Sequence, residues 1–195
     1  MKTSDPETFC PYPGLRSFTE EESLYFKGRE EQVDQVCELL QANKFLMVTG
    51  ASGEGKSSLI YAGLIPNARA GFFKARYTNW LVADFRPERT PLRNMAEAVG
   101  MVLEKDIASV ETELRRGFAS LVDLYKNSRF YVEGKDLSLN DKRQAANLLI
   151  IVDQFEEFFT NPENYFNEAT SVDSQTVVNL ALETARIAQR DNLPI

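Results

Sequence analysis

The chain contains no histidine, and its two cysteines, Cys10 and Cys37, stand far apart in no metal-like spacing. That removes histidine-based catalytic triads and the usual zinc sites from consideration. Basic residues are also in deficit. The formal net charge is −7, which leaves no diffuse cationic face for a polyanion, so no direct nucleic-acid partner is expected. Long apolar runs are missing as well: none approaches the roughly 18 residues of a membrane helix, and the N-terminus MKTSDPETFC is polar where a signal peptide would be apolar. No membrane partner is expected, and the cytoplasm is the expected compartment. Internal repeats and low-complexity tracts are absent too. What remains is 195 residues, 43% hydrophobic and 26% charged, the composition of a folded domain with a real core.

The order of hydrophobic periods indicates the architecture. After an irregular lead-in punctuated by Pro and Gly, Val33, Val36, Cys37 and Leu40 fall at i, i+3, i+4 and i+7. This is one stripe of an amphipathic helix from Glu30 to about Asn43, with Cys37 on its core face. Phe45-Leu46-Met47-Val48-Thr49 then reads as a short strand buried on both faces. GKSSLIYAGLI follows as a helix limited by Pro66. YTNWLVADF reads as a second strand. A helix carrying Leu92, Met95, Ala96, Val99, Val102 and Leu103 comes next, then one long helix from Ile107 to Tyr125. LLIIV, residues 148–152, is the most apolar run and is expected to be a central strand; a last helix spans about Ser174 to Gln189. Strands alternating with helices imply a parallel sheet covered on both faces.

Between the first strand and its helix lies GASGEGKSS, Gly50 to Ser58, which fits the phosphate-loop pattern G-x-x-x-x-G-K-[ST] in the setting that pattern requires. Glycines at 50, 53 and 55 let the loop turn so that the N–H groups of Gly50, Ser52, Gly53, Glu54, Gly55 and Ser58 line an anion cradle at a helix start. Lys56 supplies a cation for the β- and γ-phosphates, and the Ser57 hydroxyl is placed to ligate Mg²⁺. The implied ligand is a nucleotide polyphosphate.

The complementary half is LLIIVDQFEEFF, where Asp153 ends an apolar strand and is expected to hold Mg²⁺ through water on the same sheet edge as the loop. The next residue, Gln154, is an amide and a poor proton acceptor. Glu156 and Glu157 are therefore the catalytic candidates for activating water or sensing the γ-phosphate; an exposed acid at a helix start is the plainer reading of each.

CPYPGLRSF, YFKGREEQV, GASGEGKSSLIYAGLIP and LLIIVDQFEEFF, in that order, resemble the novel STAND NTPase family, a bacterial branch of the signal-transduction ATPases. The resemblance implies an α/β fold, a P-loop NTPase three-layer αβα sandwich with a mainly parallel central sheet. It also implies an arm over residues 1–28 that packs on the nucleotide site, and an NTPase core over 29–195. ATP or ADP with Mg²⁺ is the implied cofactor set, and Phe26, Gly28 and Arg29 would recognise adenine; read alone, Gly28-Arg29 is a helix start. The implied partners are adenine nucleotide, other copies through the NTPase domain, and regulatory and effector domains in a longer parent chain.

Members of that family follow the Asp153-like unit with a helix and a further strand ending in a sensor arginine, and this sequence reaches Ile195 where that strand would begin. The sheet is therefore expected to be cut short before the sensor strand, with adenine nucleotide bound weakly and hardly turned over. Arg86, Arg89 and Arg93 are read as solvated charges or as a finger for a neighbouring subunit. A non-hydrolysing nucleotide-binding scaffold and a small-molecule kinase are the alternative functions.

Overall fold

The computed structural model describes residues 14, 16–134, 138–167 and 169–195. Cys10 and most of the CPYPGL segment of the expected arm lie outside them. Two strands form the parallel sheet, β1 (Asn79–Phe85) and β2 (Ala146–Val152), in a register running from Asn79 opposite Ala146 to Phe85 opposite Val152. A short antiparallel pair, β3 (Tyr165–Phe166) and β4 (Ala169–Thr170), stands apart from it.

Side-chain alternation divides the sheet between two cores. Ala83 and Phe85 of β1 and Ala146 and Leu148 of β2 pack with Leu92, Met95, Val99, Val110, Leu114, Leu121, Tyr125, Val177 and Leu180. Leu149 and Ile151 turn to the other face, with Trp80 and Val82, and meet Val33, Val36, Leu59, Leu64 and Ile65. Burial on both faces is why the strand reads as an unbroken apolar run rather than an alternating one.

The first helix, α1 (Glu30–Asn43), falls where its stripe predicts and ends at Lys44, which takes a left-handed φ of 58°. The last helix, Val172–Asp191, is capped by the Ser171 side chain and slightly exceeds its predicted span. Two expectations fail here for physical reasons. Pro66 does not stop its helix: Lys56–Ser58 runs through a π-helical stretch, Leu59–Leu64, into Ile65–Arg69. The wide turn bonds Ile65 N–H to Ile60 O, which relaxes the ring's usual conflict with the preceding turn. The single helix expected from Ile107 to Tyr125 is two, Ile107–Leu114 and Ser120–Lys126. The chain turns around Gly117, and the Ser120 hydroxyl donates to Leu114 O at 3.4 Å, satisfying a carbonyl at the first helix's end.

The third departure matters most for the site. Phe45–Thr49 pairs with neither strand, and Phe45 and Met47 are exposed, whereas Leu46 and Val48 rest against the α1 side of the core. A slot of about 270 Å³ lies between this segment and β2, lined among others by Leu46, Val48, Ile60, Leu148, Ile150 and Ile195. The slot runs along an edge of β2. Leu148 N–H donates to Pro194 O at 2.8 Å and Asp153 N–H to Phe85 O at 3.0 Å, so alternation turns the Ile150 and Val152 amides to the same side as Leu148, toward the slot. The expected sheet is thus represented by two hydrogen-bonded parallel strands with helices on both faces.

One buried polar residue fixes the base of the sheet. Asn147 is 1% exposed; its Oδ1 accepts from Tyr77 N–H at 3.1 Å, and its Nδ2 donates to Tyr77 O at 2.8 Å and Asn79 O at 2.9 Å. The side chain therefore acts as an extra peptide group joining the approach to β1 with β2. Asn147→Ala orphans backbone groups at a buried position and is expected to cost about 2–4 kcal/mol in urea unfolding. A loss below about 1 kcal/mol would show that water replaces the amide there.

Candidate functional site

The Gly50–Ser58 loop sits at the start of the Lys56 helix. Gly53 and Gly55 hold φ of 83° and 79°, a conformation that side chains with a Cβ adopt only under strain. Gly50 has no such φ; a Cβ there would meet only the tip of the flexible Glu54 side chain. The Glu54 carboxylate accepts from Ala51 N–H at 2.9 Å, showing that an oxyanion fits against the loop's backbone. The Lys56 ammonium donates to Gly50 O and Ala51 O, both at 2.9 Å, and so spans the loop's mouth. Ser52 is exposed at its tip.

Beyond the loop, the Ser57 hydroxyl donates to Asp153 Oδ1 at 2.9 Å across 96 residues of sequence. The helix start and the end of β2 thus bring together the two residues singled out for a metal. Asp153 Oδ2 accepts from Arg86 Nε at 3.1 Å and Nη2 at 2.9 Å. The next polar pair along is Tyr61, whose hydroxyl donates to Asp84 Oδ2 at 2.7 Å. Burial, then this hydrogen bond, then the nearby charges of Asp84 and Asp153 push the Tyr61 phenol well above its ordinary value, keeping it a proton donor.

Ser58 plays a part that its place in the motif does not suggest. It is buried, and its Oγ accepts from Phe18 N–H at 3.1 Å, pinning the lead-in segment to the helix. That segment is further braced where Arg16 pairs with Glu22 at 2.5 Å and Arg69 with Glu20 at 3.2 Å. Arg16 first, then the Thr19 amide, hold the Glu22 carboxyl down to about 2. Arg29 Nη2 donates to Glu54 O at 2.8 Å, so Gly28, at φ 81°, and Arg29 abut the Gly50–Ser58 loop. Phe26 packs beside Phe18, with ring centroids 5.7 Å apart. All three residues singled out for adenine recognition lie on a segment attached to the loop.

The two glutamates diverge. Glu157 Oε2 accepts from Glu88 N–H at 2.8 Å, and Asn161 and Asn164 donate to Glu88 O, so Glu157 anchors the turn after β1. Glu156 is exposed and borders the slot that Lys56, Ser57 and Asp153 also line. Gln154 adopts φ 54° in the turn between Asp153 and the glutamates.

Sequence reasoning missed three contacts: Arg86 on Asp153, Tyr61 on Asp84, and Ser58 on Phe18. Only the first had a signal. Once β1 and β2 are taken as parallel neighbours with Phe85 opposite Val152, Arg86 must emerge opposite Asp153. Arg89 and Arg93 pair instead with Glu163 at 3.3 Å and Glu97 at 3.0 Å. Cys37 is half-buried against the α1 side of the core, and desolvation, aided by Asp34, pushes its thiol up to about 11, in keeping with a packing role.

A family model described as Novel STAND NTPase 1 matches residues 11–189. The chain belongs to that family. It is accordingly a nucleotide-binding signalling domain of the STAND NTPase type, as its motifs led one to expect. No curated protein and no solved structure matches the chain. Among the described residues of this STAND domain, no helix is long and apolar enough to cross a membrane.

STAND membership raises the question of a divalent metal, and the donor set answers it. Among the described residues no three acids, cysteines or histidines cluster, so a cage built wholly of protein ligands does not fit. One hydroxyl and one carboxylate side by side do fit Mg²⁺, which keeps several waters and takes phosphate oxygens for the rest.

Proposed function

We propose that this domain binds ATP and ADP with Mg²⁺ on the Gly50–Ser58 loop and that the nucleotide held there governs self-association. The observation that carries this is the Ser57–Asp153 hydrogen bond. It joins a helix-start hydroxyl, next to an amide-lined loop and its lysine, to a carboxylate at the end of a parallel strand, the edge where such sheets bind ligands. In this reading the amides of Gly50 to Ser58 hold the phosphates, and Lys56 exchanges its two loop carbonyls for β- and γ-phosphate oxygens. Ser57 and Asp153 hold the metal, whose contribution is to neutralise charge on the phosphates. Phe26, Gly28 and Arg29 face the adenine end. Residues 1–28 serve as the arm, residues 29–195 as the NTPase core, and the two-stranded sheet as part of a three-layer sandwich.

Hydrolysis needs a group to orient water; in this reading that group is Glu156, which is exposed and borders the slot that Asp153 also lines, with Glu157 supporting the turn beside it. A second reading, a nucleotide-binding scaffold without turnover, is favoured by Gln154 directly after Asp153 and by the engagement of Glu157 with Glu88. Phosphate release no faster than that of Lys56→Ala would select it.

Asp153→Asn tests the metal role. ADP affinity measured calorimetrically in Mg²⁺ should fall while affinity in EDTA stays unchanged, because an amide is a poor partner for a hydrated cation. Equal loss in both would show that Asp153 supports the loop and no metal.

A further inference from the structure

Both oxygens of Asp153 are committed within the chain: Oδ1 accepts from Ser57, and Oδ2 accepts from two nitrogens of Arg86. Arg86 reaches that carboxylate by construction. Its neighbour Phe85 is in register with Val152, and Asp153 N–H donates to Phe85 O at 3.0 Å, so the two strand ends are clasped just before the ion pair. The pairing is also unequal in exposure, since the Asp153 side chain is 12% exposed and that of Arg86 is 49% exposed. The carboxylate is largely enclosed, and the guanidinium has solvent to move into.

We infer that Arg86 is a resident counter-charge for Asp153 that leaves when a magnesium nucleotide binds, so that metal entry and release of Arg86 are one exchange. This rests on the reading of Asp153 as the metal carboxylate. A divalent ion on Asp153 with Arg86 still in contact would set two cations against one carboxylate in a partly desolvated site, where repulsion is poorly screened. Departure of the guanidinium relieves it. Arg86 is then a positioning residue that sets the threshold for magnesium. Until then it occupies Asp153 Oδ2 and leaves Oδ1 to Ser57.

The experiment is a calorimetric titration of ADP into wild-type, Arg86→Ala and Arg86→Lys chains over a series of Mg²⁺ concentrations, with thermal unfolding by circular dichroism as the check on folding. Removing the competitor should lower the Mg²⁺ concentration for half-maximal tightening of ADP by about threefold to tenfold in Arg86→Ala, the worth of a part-exposed charge-assisted pair. Arg86→Lys keeps the charge with poorer geometry and should fall between that variant and wild type. An unchanged or raised Mg²⁺ requirement in a folded Arg86→Ala chain overturns the inference. If Asp153→Asn still abolishes the magnesium dependence, only the exchange is lost. If Asp153→Asn is also silent, the metal reading falls with it.

Discussion

Lys56→Ala should reduce ATP affinity by about 10²- to 10⁴-fold, measured calorimetrically. The estimate follows from two charge-assisted hydrogen bonds worth roughly 1.5–3 kcal/mol each, at 1.4 kcal/mol per decade. Lys56 is the cation at the mouth of a loop otherwise made of neutral amides. Its two bonds to Gly50 O and Ala51 O show that its reach covers the space above those amides. Removing it deprives the phosphates of a counter-charge and leaves Glu54, already on the Ala51 amide, as a competing anion in the cradle. The loop's shape should survive, because Gly53, Gly55 and the helix after them set it. Undiminished affinity with an unchanged melting temperature would remove the loop from the nucleotide site.

Glu156→Gln should slow steady-state phosphate release by about 10² to 10⁴, the usual worth of a positioned general base, assayed in the longest form of the protein that turns ATP over. Nucleotide affinity should hold, because the amide keeps the side chain's size and alters only its ability to take a proton. Glu157→Gln is the internal contrast. Its carboxylate accepts one backbone N–H from Glu88, and an amide oxygen can accept the same bond, so turnover should stay within about tenfold. The reverse ranking would exchange the roles of the two acids. Full turnover in both variants and in the double variant would leave water activation to another group.

What was legible in the sequence is what short-range patterns control. The α1 stripe, the apolar run of β2, the left-handed glycines of the loop and the acid at the strand end each depend on a few neighbouring residues. Each appears where it was expected. Much of what failed depends on partners far away in sequence. The run Phe45–Thr49 announces a need for burial but carries no information on whether a strand will lie beside it. In the structure it faces β2 across a slot and forms no ladder. The break at Gly117 had a local signal in that glycine and is braced from farther away: Arg115, just after Leu114, bonds Asp173 on the last helix at 2.7 Å, which helps hold the chain at that corner. The commitment of Glu157 to Glu88 and of Arg86 to Asp153 required knowing how the ends of β1 and β2 align. The alternation of helix and strand was thus readable, while which strands pair in the sheet was not.

The central claim is that the Gly50–Ser58 loop, with Asp153, is the magnesium-nucleotide site, and amide-resolved NMR tests it most directly. ¹⁵N-labelled chain titrated with MgADP should show its largest shifts at the amides of Ala51 to Ser58, with further changes at Gly28, Arg29 and Asp153, and Lys56→Ala should abolish them at the same concentrations. Saturating shifts confined to the slot between Phe45–Val48 and β2, persisting in Lys56→Ala, would place the nucleotide elsewhere and contradict the account.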